Sequence, residues 1–273
     1  MTTPSAPTVT TSSRRSFRLP VGDVTLGLLG ILTVVAVLEV LPRTGLVNPA
    51  YLPPASEILT RFVQLLGEPG FWTDLGLTIR GWAIGLAIAM LIGVGAGLVI
   101  GSFRFLREFT ASTIEFLRPI PSVALIPLVV LIFGSQPQSA LVLIVYAATW
   151  QVLVQVLYGV ADVDPVARDT ARSYRFSFLS TGWNVIWPTA LPYVVTGFRL
   201  GAAVALILEI TAELIIGVPG LGQAIGIAQS SGAVAETYAL VIAVGLVGLI
   251  VNLLARAVEK RVLRWHPSVR GDG

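Results

Sequence analysis

Between Pro119 and Ala161 the chain runs for 43 residues without a charged side chain. About 20 apolar residues suffice to cross the roughly 30 Å of hydrocarbon in a bilayer, so a run of this length holds two spans. The division falls at Gly134-Ser135-Gln136-Pro137-Gln138, a cluster of turn-forming residues. Two further uncharged runs, Gly81 to Phe103 and Leu214 to Ala235, repeat the pattern. Only 12% of the 273 residues are charged, where a soluble domain has about a quarter, and the mean hydropathy is +0.83. The fold class that follows is an all-α polytopic membrane protein. Helices satisfy their own backbone hydrogen bonds in lipid, and the ~10-residue alternating segments of a membrane β-barrel are absent from the sequence. Six transmembrane helices are expected, near 24–41, 77–101, 112–133, 139–159, 192–216 and 237–257.

Basic residues orient such spans, because Lys and Arg accumulate on cytoplasmic segments. With the N-terminus inside, thirteen fall on cytoplasmic segments: Arg14, Arg15, Arg18, Arg104, Arg107, Arg168, Arg172, Arg175, Arg256, Lys260, Arg261, Arg264 and Arg270. Arg43, Arg61 and Arg80 fall outside, and Arg118 and Arg199 within spans. Both termini are therefore expected in the cytoplasm. The chain divides into a disordered, Ser/Thr/Pro-rich cytoplasmic tail at 1–20, an N-terminal transmembrane helix at 21–45 and an extracytoplasmic segment at 46–75. A membrane core follows over 76–258 with a cytoplasmic loop at 160–190, then a basic cytoplasmic tail at 259–273. Ser13-Arg14-Arg15-Ser16-Phe17 has the look of a twin-arginine signal, but no small-residue cleavage site follows. Leu41-Pro42-Arg43-Thr44-Gly45 imitates a sortase motif far from the C-terminal position that such a motif needs.

The composition removes several chemistries. There is no Cys, the single His is His266, and the single Lys, Lys260, precedes Arg261. Disulfides, thiolate nucleophiles, Ser/His triads and multi-His zinc sites are excluded within the chain. So is a G-x-x-x-x-G-K-[ST] phosphate loop, and any ATP used must bind another chain. The pI near 9.6 reflects membrane-orienting arginines rather than a nucleic-acid surface.

Residues 160–190 carry the most information. Asp162, Asp164 and Pro165 form an acidic helix start, with Pro where its missing N–H costs nothing. A short helix over 166–174 places Arg168 and Arg172 at i,i+4. Trp183-Asn184-Val185-Ile186-Trp187-Pro188 follows, and Ala190-Leu191-Pro192 is expected to open the fifth span. Two readings stand: a docking element for a soluble partner, or an amphipathic interfacial loop anchored by Trp.

Within this loop, Asp169-Thr170-Ala171 is followed by Arg175, six positions after Asp169, and by Val185-Ile186-Trp187-Pro188. The sequence continues Thr189-Ala190-Leu191-Pro192-Tyr193-Val194-Val195-Thr196-Gly197-Phe198-Arg199-Leu200. Elsewhere stand Tyr51-Leu52-Pro53-Pro54-Ala55, Leu117-Arg118-Pro119-Ile120-Pro121, Ile126-Pro127-Leu128, Ala212-Glu213-Leu214, Gly220-Leu221-Gly222 and Val262-Leu263-Arg264-Trp265. In this order and spacing, over about residues 50–266, the chain resembles the permease subunits of bacterial ABC importers, specifically the nitrate/sulfonate/taurine-type branch. The family signature has Glu-Ala-Ala, a Gly six positions after the Glu and a hydrophobic-x-Leu-Pro element. Asp169 and Thr170 are mild departures, whereas Arg175 stands where Gly permits a positive φ that Arg adopts only at a cost.

The resemblance implies a multi-pass protein of a bacterial inner or plasma membrane, a transporter subunit rather than an enzyme. Two permease subunits, identical or paralogous, would form the pathway among membrane lipids. An extracytoplasmic binding protein would deliver a small anion or vitamin precursor. Two cytoplasmic ATPase subunits would hold ATP and Mg, leaving no cofactor on this chain and no role for nucleic acid. The residues implied in coupling to the ATPase are Asp169, Thr170, Ala171, Arg172, Arg175 and Pro188. Nucleotide would drive alternating access by binding one global state better than the other.

Candidates for the translocation pathway are Arg118, Pro119, Pro121, Ser122, Glu209 and Glu213. Arg118 has two readings: a charge lining an anion path, or an interfacial residue paired with Glu115 at i,i+3, the more ordinary of the two. Glu209 and Glu213 lie on one helical face, where like charges repel; Glu209 stands where an apolar residue is expected. Arg199 is read as structural, snorkelling or paired with an acid. Glycines 81, 85, 93, 97 and 101 repeat at multiples of four and are read as a helix-packing seam. Gly217 to Gly222 is read as a re-entrant turn. The competing function is an ion-gradient-driven secondary transporter, which would carry inverted repeats and midplane ion ligands. An intramembrane enzyme lacks a second acidic span to partner Glu209 and Glu213.

Overall fold

The computed structural model describes residues 23–264; the N-terminal tail with Arg14, Arg15 and Arg18, and Trp265, His266 and Arg270, lie outside the described residues. Every regular element among the described residues is helical. Four helices are long and apolar enough to cross a membrane alone, and six spans result if each of two bent pairs counts as one.

The first span, α1 (Asp23–Arg43), exposes nearly all its apolar surface and packs against the short amphipathic α2 (Ala55–Leu65). Glu39 fixes this contact by accepting from the backbone N–H (2.8 Å) and hydroxyl (3.1 Å) of Ser56. Farther along α2, Arg61 bridges Glu68 and, at 3.1 Å, Glu236. The Glu68 hydrogen bond, with Glu236 behind it, holds the guanidinium pKa above its ordinary value against the opposing effect of burial.

The core is a three-helix stack of α3 (Pro69–Ser102), α6 (Pro137–Ala161) and α9 (Trp187–Ile216). The expected seam is present. A Cβ on Gly85 would lie 2.6 Å from Ile144 Cγ2, and on Gly93, Gly97 and Gly101 within 2.7–2.8 Å of the Cβ of Val152, Val156 and Val160. Four glycines of α3 thus receive four β-branched side chains of α6, which lets the helices close to backbone range. Gly81, the fifth, faces Glu209 instead.

The expected straight span at 112–133 is not formed. Residues 104–133 make α4 (Arg104–Leu117), a 3-10 turn (Ser122–Leu125) and α5 (Ile126–Phe133), bent by 81°. Pro119 and Pro121 remove two helical N–H donors, so the helix stops at Leu117, with Arg118 as a C-cap still at helical φ/ψ (φ -57°, ψ -43°). The next turn is where the sequence places it: Gly134, at φ 70°, ends α5, and Pro137 opens α6.

The helix expected to begin at Ala190 starts much earlier. It runs from Phe178, through α8 (Phe178–Thr181) and a π-helical turn (Gly182–Ile186), into α9, so that Pro192 lies inside it. Pro188 and Pro192 both follow this turn; the N–H that Pro188 lacks would have bonded a carbonyl within it, and the wider π pitch accommodates the mismatch. At Gly217 (φ 81°) α9 ends, and α10 (Leu221–Ser230) lies beside its last turns at 41°. The final span is α11 (Val234–Val262), packed on α2, α9 and α10.

Candidate functional site

Three places gather the polar residues. The first is the short helix α7 (Pro165–Ser173), between α6 and α8 and within one residue of its expected limits. Asp164 caps it, its Oδ1 accepting from Val166 N at 2.8 Å, with Pro165 at the first helical position. Asp162 accepts a hydrogen bond from the Tyr193 hydroxyl at 3.0 Å, tying the loop to α9. Arg168 turns back and donates to the Val160 carbonyl, so it secures α7 to α6 rather than presenting its charge.

At its other end α7 closes in a Schellman turn. Phe176 N donates to Ala171 O (2.9 Å) and Arg175 N to Arg172 O (3.0 Å), with Arg175 left-handed at φ 55°. The turn characteristic of Gly is kept although Arg occupies the position. A left-handed Arg costs about 1 kcal/mol, so Arg175→Gly is expected to stabilise the protein by that amount in detergent unfolding, and Arg175→Ala is not. Ala171 is buried, whereas Asp169, Thr170, Arg172, Arg175 and Pro188 are exposed. Among the described residues one weak pair, Arg172 to Asp169 at 3.4 Å, occupies these charges. Around them Val166, Tyr174, Phe176, Phe178, Leu179 and Trp183 are all exposed.

The second place is a cavity of about 580 Å³ between α3, α4 and α6, lined by Arg107, Glu115, Arg118, Pro119, Gln151 and Tyr158 among others. Arg118 closes α4 and does not form the expected ion pair with Glu115; neither it nor Arg107 pairs with a described acid. The bend after Leu117 turns the chain away there, leaving both guanidiniums on one cavity wall. Pro121 and Ser122 stand at the bend and outside this lining.

The third place surrounds Glu213, which is fully buried, as is Thr78. Thr78 Oγ1 donates to Glu213 Oε1 (2.8 Å) and accepts from Leu221 N (3.0 Å), while Gly222 N donates to Glu213 Oε2 (2.8 Å). The carboxylate therefore caps α10 from α9, with Thr78 of α3 as the bridge. Gly220 and Gly222 are required: a Cβ would lie 2.0 Å from Glu213 Oε1 at the former and 2.4 Å from the Ile210 carbonyl at the latter. Glu209, one turn earlier, belongs to a different environment, with Oε2 buried and unpartnered. The two acids thus differ in their hydrogen-bond partners while remaining neighbours on one face of α9. Arg199 pairs with Glu259 at 3.4 Å, the structural role expected of it.

Residues 89–264 match the family described as "Binding-protein-dependent transport system inner membrane component". The chain is 31% identical to the taurine transport system permease protein TauC of Escherichia coli (strain K12), over 95% of this chain and 96% of TauC. The chain belongs to this permease family. It is also 28% identical to the nitrate import permease protein NrtB of Synechocystis sp. (strain ATCC 27184 / PCC 6803 / Kazusa), over 78% of this chain and 80% of NrtB. In fold it matches a chain solved among inward-facing conformations of the MetNI methionine ABC transporter, with TM-score 0.61 and 18% identity over 71% of this chain and 98% of that one. The permease is thus an ABC importer subunit of the inner membrane, and the ion-gradient alternative gives way to this family.

Some residues of the permease site escaped sequence reasoning. Thr78 is one Thr in an apolar span, with nothing local to mark it. Arg107 reads only as a topological charge until the bend brings Arg118 into the same cavity. The exposed aromatic cluster around α7 could have been found, because Tyr174, Phe176, Phe178 and Leu179 stand together between polar residues.

Proposed function

We propose that this permease passes a small acid-bearing solute along a path touching Arg107 and Arg118, and that α7 is its coupling contact with a cytoplasmic ATPase. The observation that carries the reading is the surface of α7 and α8. A capped helix, pinned to α6 through Arg168 and to α9 through Tyr193, holds out Arg172, Arg175 and a group of large apolar side chains. Apolar patches of this kind, rimmed by charge, mark protein interfaces. The absence of a phosphate loop from the sequence assigns ATP to that partner. Two guanidiniums without described ion pairs suit the small anions for which the relatives are named. A second permease subunit and an extracytoplasmic binding protein complete the assembly, with both termini cytoplasmic.

Purification from the native membrane in mild detergent tests the coupling. Wild type is expected to carry ATP hydrolysis with it, and Asp169→Ala/Arg175→Ala to weaken that association by about 30-fold, the scale of one interface hot spot. Wild type that is monodisperse yet brings no ATPase, or a double variant that retains it in full, overturns the assignment of α7.

A further inference from the structure

Glu209 is only 4% exposed, takes part in no ion pair among the described residues, and leaves Oε2 without a hydrogen-bond partner. Its neighbour Glu213 is fully engaged with Thr78 and Gly222 and has nothing to offer it. Glu209 lines a cavity of about 390 Å³ whose walls are mainly apolar, including Leu77, Ile84 and Leu141; Arg80 and Gln138 are its other polar side chains with charge or amide. The volume suits a small molecule. The carboxylate is also seated deliberately: it occupies the space that a side chain on Gly81 would fill, 1.9 Å from an ideal Cβ there.

A buried carboxylate without a partner is relieved by a proton or by a counter-charge; Arg80, on the same cavity wall, forms no ion pair with it, which leaves that place open to a cation carried by a ligand. A simple anion entering this cavity meets an acid; a solute bearing an ammonium group meets its complement. Arg80, exposed and without a described ion pair, lines the same cavity and suits the solute's acid group. We propose that this cavity is an amine-recognition subsite and that the transported solute carries an ammonium group as well as an acid. This rests on the importer reading above, narrowing its anion to an amino acid or amino sulfonate. Glu209 is the specificity-determining residue, holding the ammonium through a charge-assisted hydrogen bond.

The test uses the permease with its co-purified ATPase in lipid nanodiscs, without the binding protein, so that the permease's own preference is read. Protection against thermal unfolding is titrated with matched probes: taurine against isethionate, its hydroxyl counterpart, and glycine against glycolate. In wild type, the amine of at least one pair is expected to bind at least about tenfold more tightly. Glu209→Gln is expected to equalise the pairs, and Gly81→Ala, which displaces the carboxylate while keeping its charge, to narrow the gap. No amine preference in wild type, whether from equal binding or none, overturns the proposal. So does a preference that survives Glu209→Gln, or a fall in complex mass in that variant, which would assign the carboxylate to subunit pairing. Failure of ATPase to co-purify strikes the coupling reading instead, and the probe pairs are then read on the permease alone.

Discussion

Glu213→Ala is expected to destabilise the permease by about 3 kcal/mol in detergent unfolding, because the truncation strips partners from buried donors. Gly222 N and the Thr78 hydroxyl both donate to this carboxylate, and Thr78 is itself completely buried. Glu213→Gln discriminates between packing and hydrogen bonding. It fills the same volume, but with its oxygen on Gly222 N its Nε2 faces Thr78 Oγ1, and that hydroxyl must then accept and lose the acceptor for its own proton. A loss of about half the Ala effect is expected. Thr78→Val, close in shape, removes the bridge to Leu221 N and is expected to cost about 1–2 kcal/mol. Equal stability of Glu213→Ala and wild type would mean that α10 is held by its apolar contacts alone.

Gly93→Leu/Gly97→Leu is expected to be at least as damaging, by about 3 kcal/mol or more, since one overpacked side chain typically costs 1–3 kcal/mol. The clash is with Cβ and Cγ1 of Val152 and Val156, branched atoms close to a rigid backbone that cannot swing aside. Two bulky residues one turn apart on α3 force the helices apart along the seam rather than at one point. Paired replacement of Val152 and Val156 by Ala supplies the check. If the seam is the cause, the four-residue variant recovers much of the loss, and the effects are non-additive as expected for side chains in contact. Unchanged stability in the double glycine variant would show that α3 and α6 tolerate separation.

What could be read from the sequence was what short stretches decide. The long uncharged runs placed the spans, Gly134 and Pro137 marked the turn between α5 and α6, and Asp164-Pro165 started α7 within a residue. The repeat of Gly at multiples of four located the seam, although its partners on α6 could not be named. What failed was set by longer distances. Pro119 and Pro121 were visible, but whether they kink a span or break it through 81° depends on the helices packed around the bend. Thr78 and Glu213 lie 135 residues apart, and no periodicity joins them. Glu209 and Glu213 share one helical face in sequence and two environments in space, because α10 covers one and leaves the other beside a cavity. Arg175 is the mixed case: the sequence identified the conformation that glycine would favour, and only the Schellman bonds show that Arg adopts it.

The π-helical turn at Gly182–Ile186 has a consequence for how this span tolerates change in its length. A π turn contains one residue more than the regular helix it interrupts. Deleting that residue would leave an unbroken helix and yet rotate everything before it by about 100° relative to everything after. The stacked rings of Trp183 and Trp187, 6.3 Å apart and on opposite sides of the turn's end, would fall out of phase. Arg172, Arg175 and the aromatic cluster would then face a different azimuth from the membrane helices that they serve. Indels at this spot are therefore not neutral adjustments of loop length: each acts like a change of gear tooth, altering the direction in which the exposed end points while leaving the shaft intact.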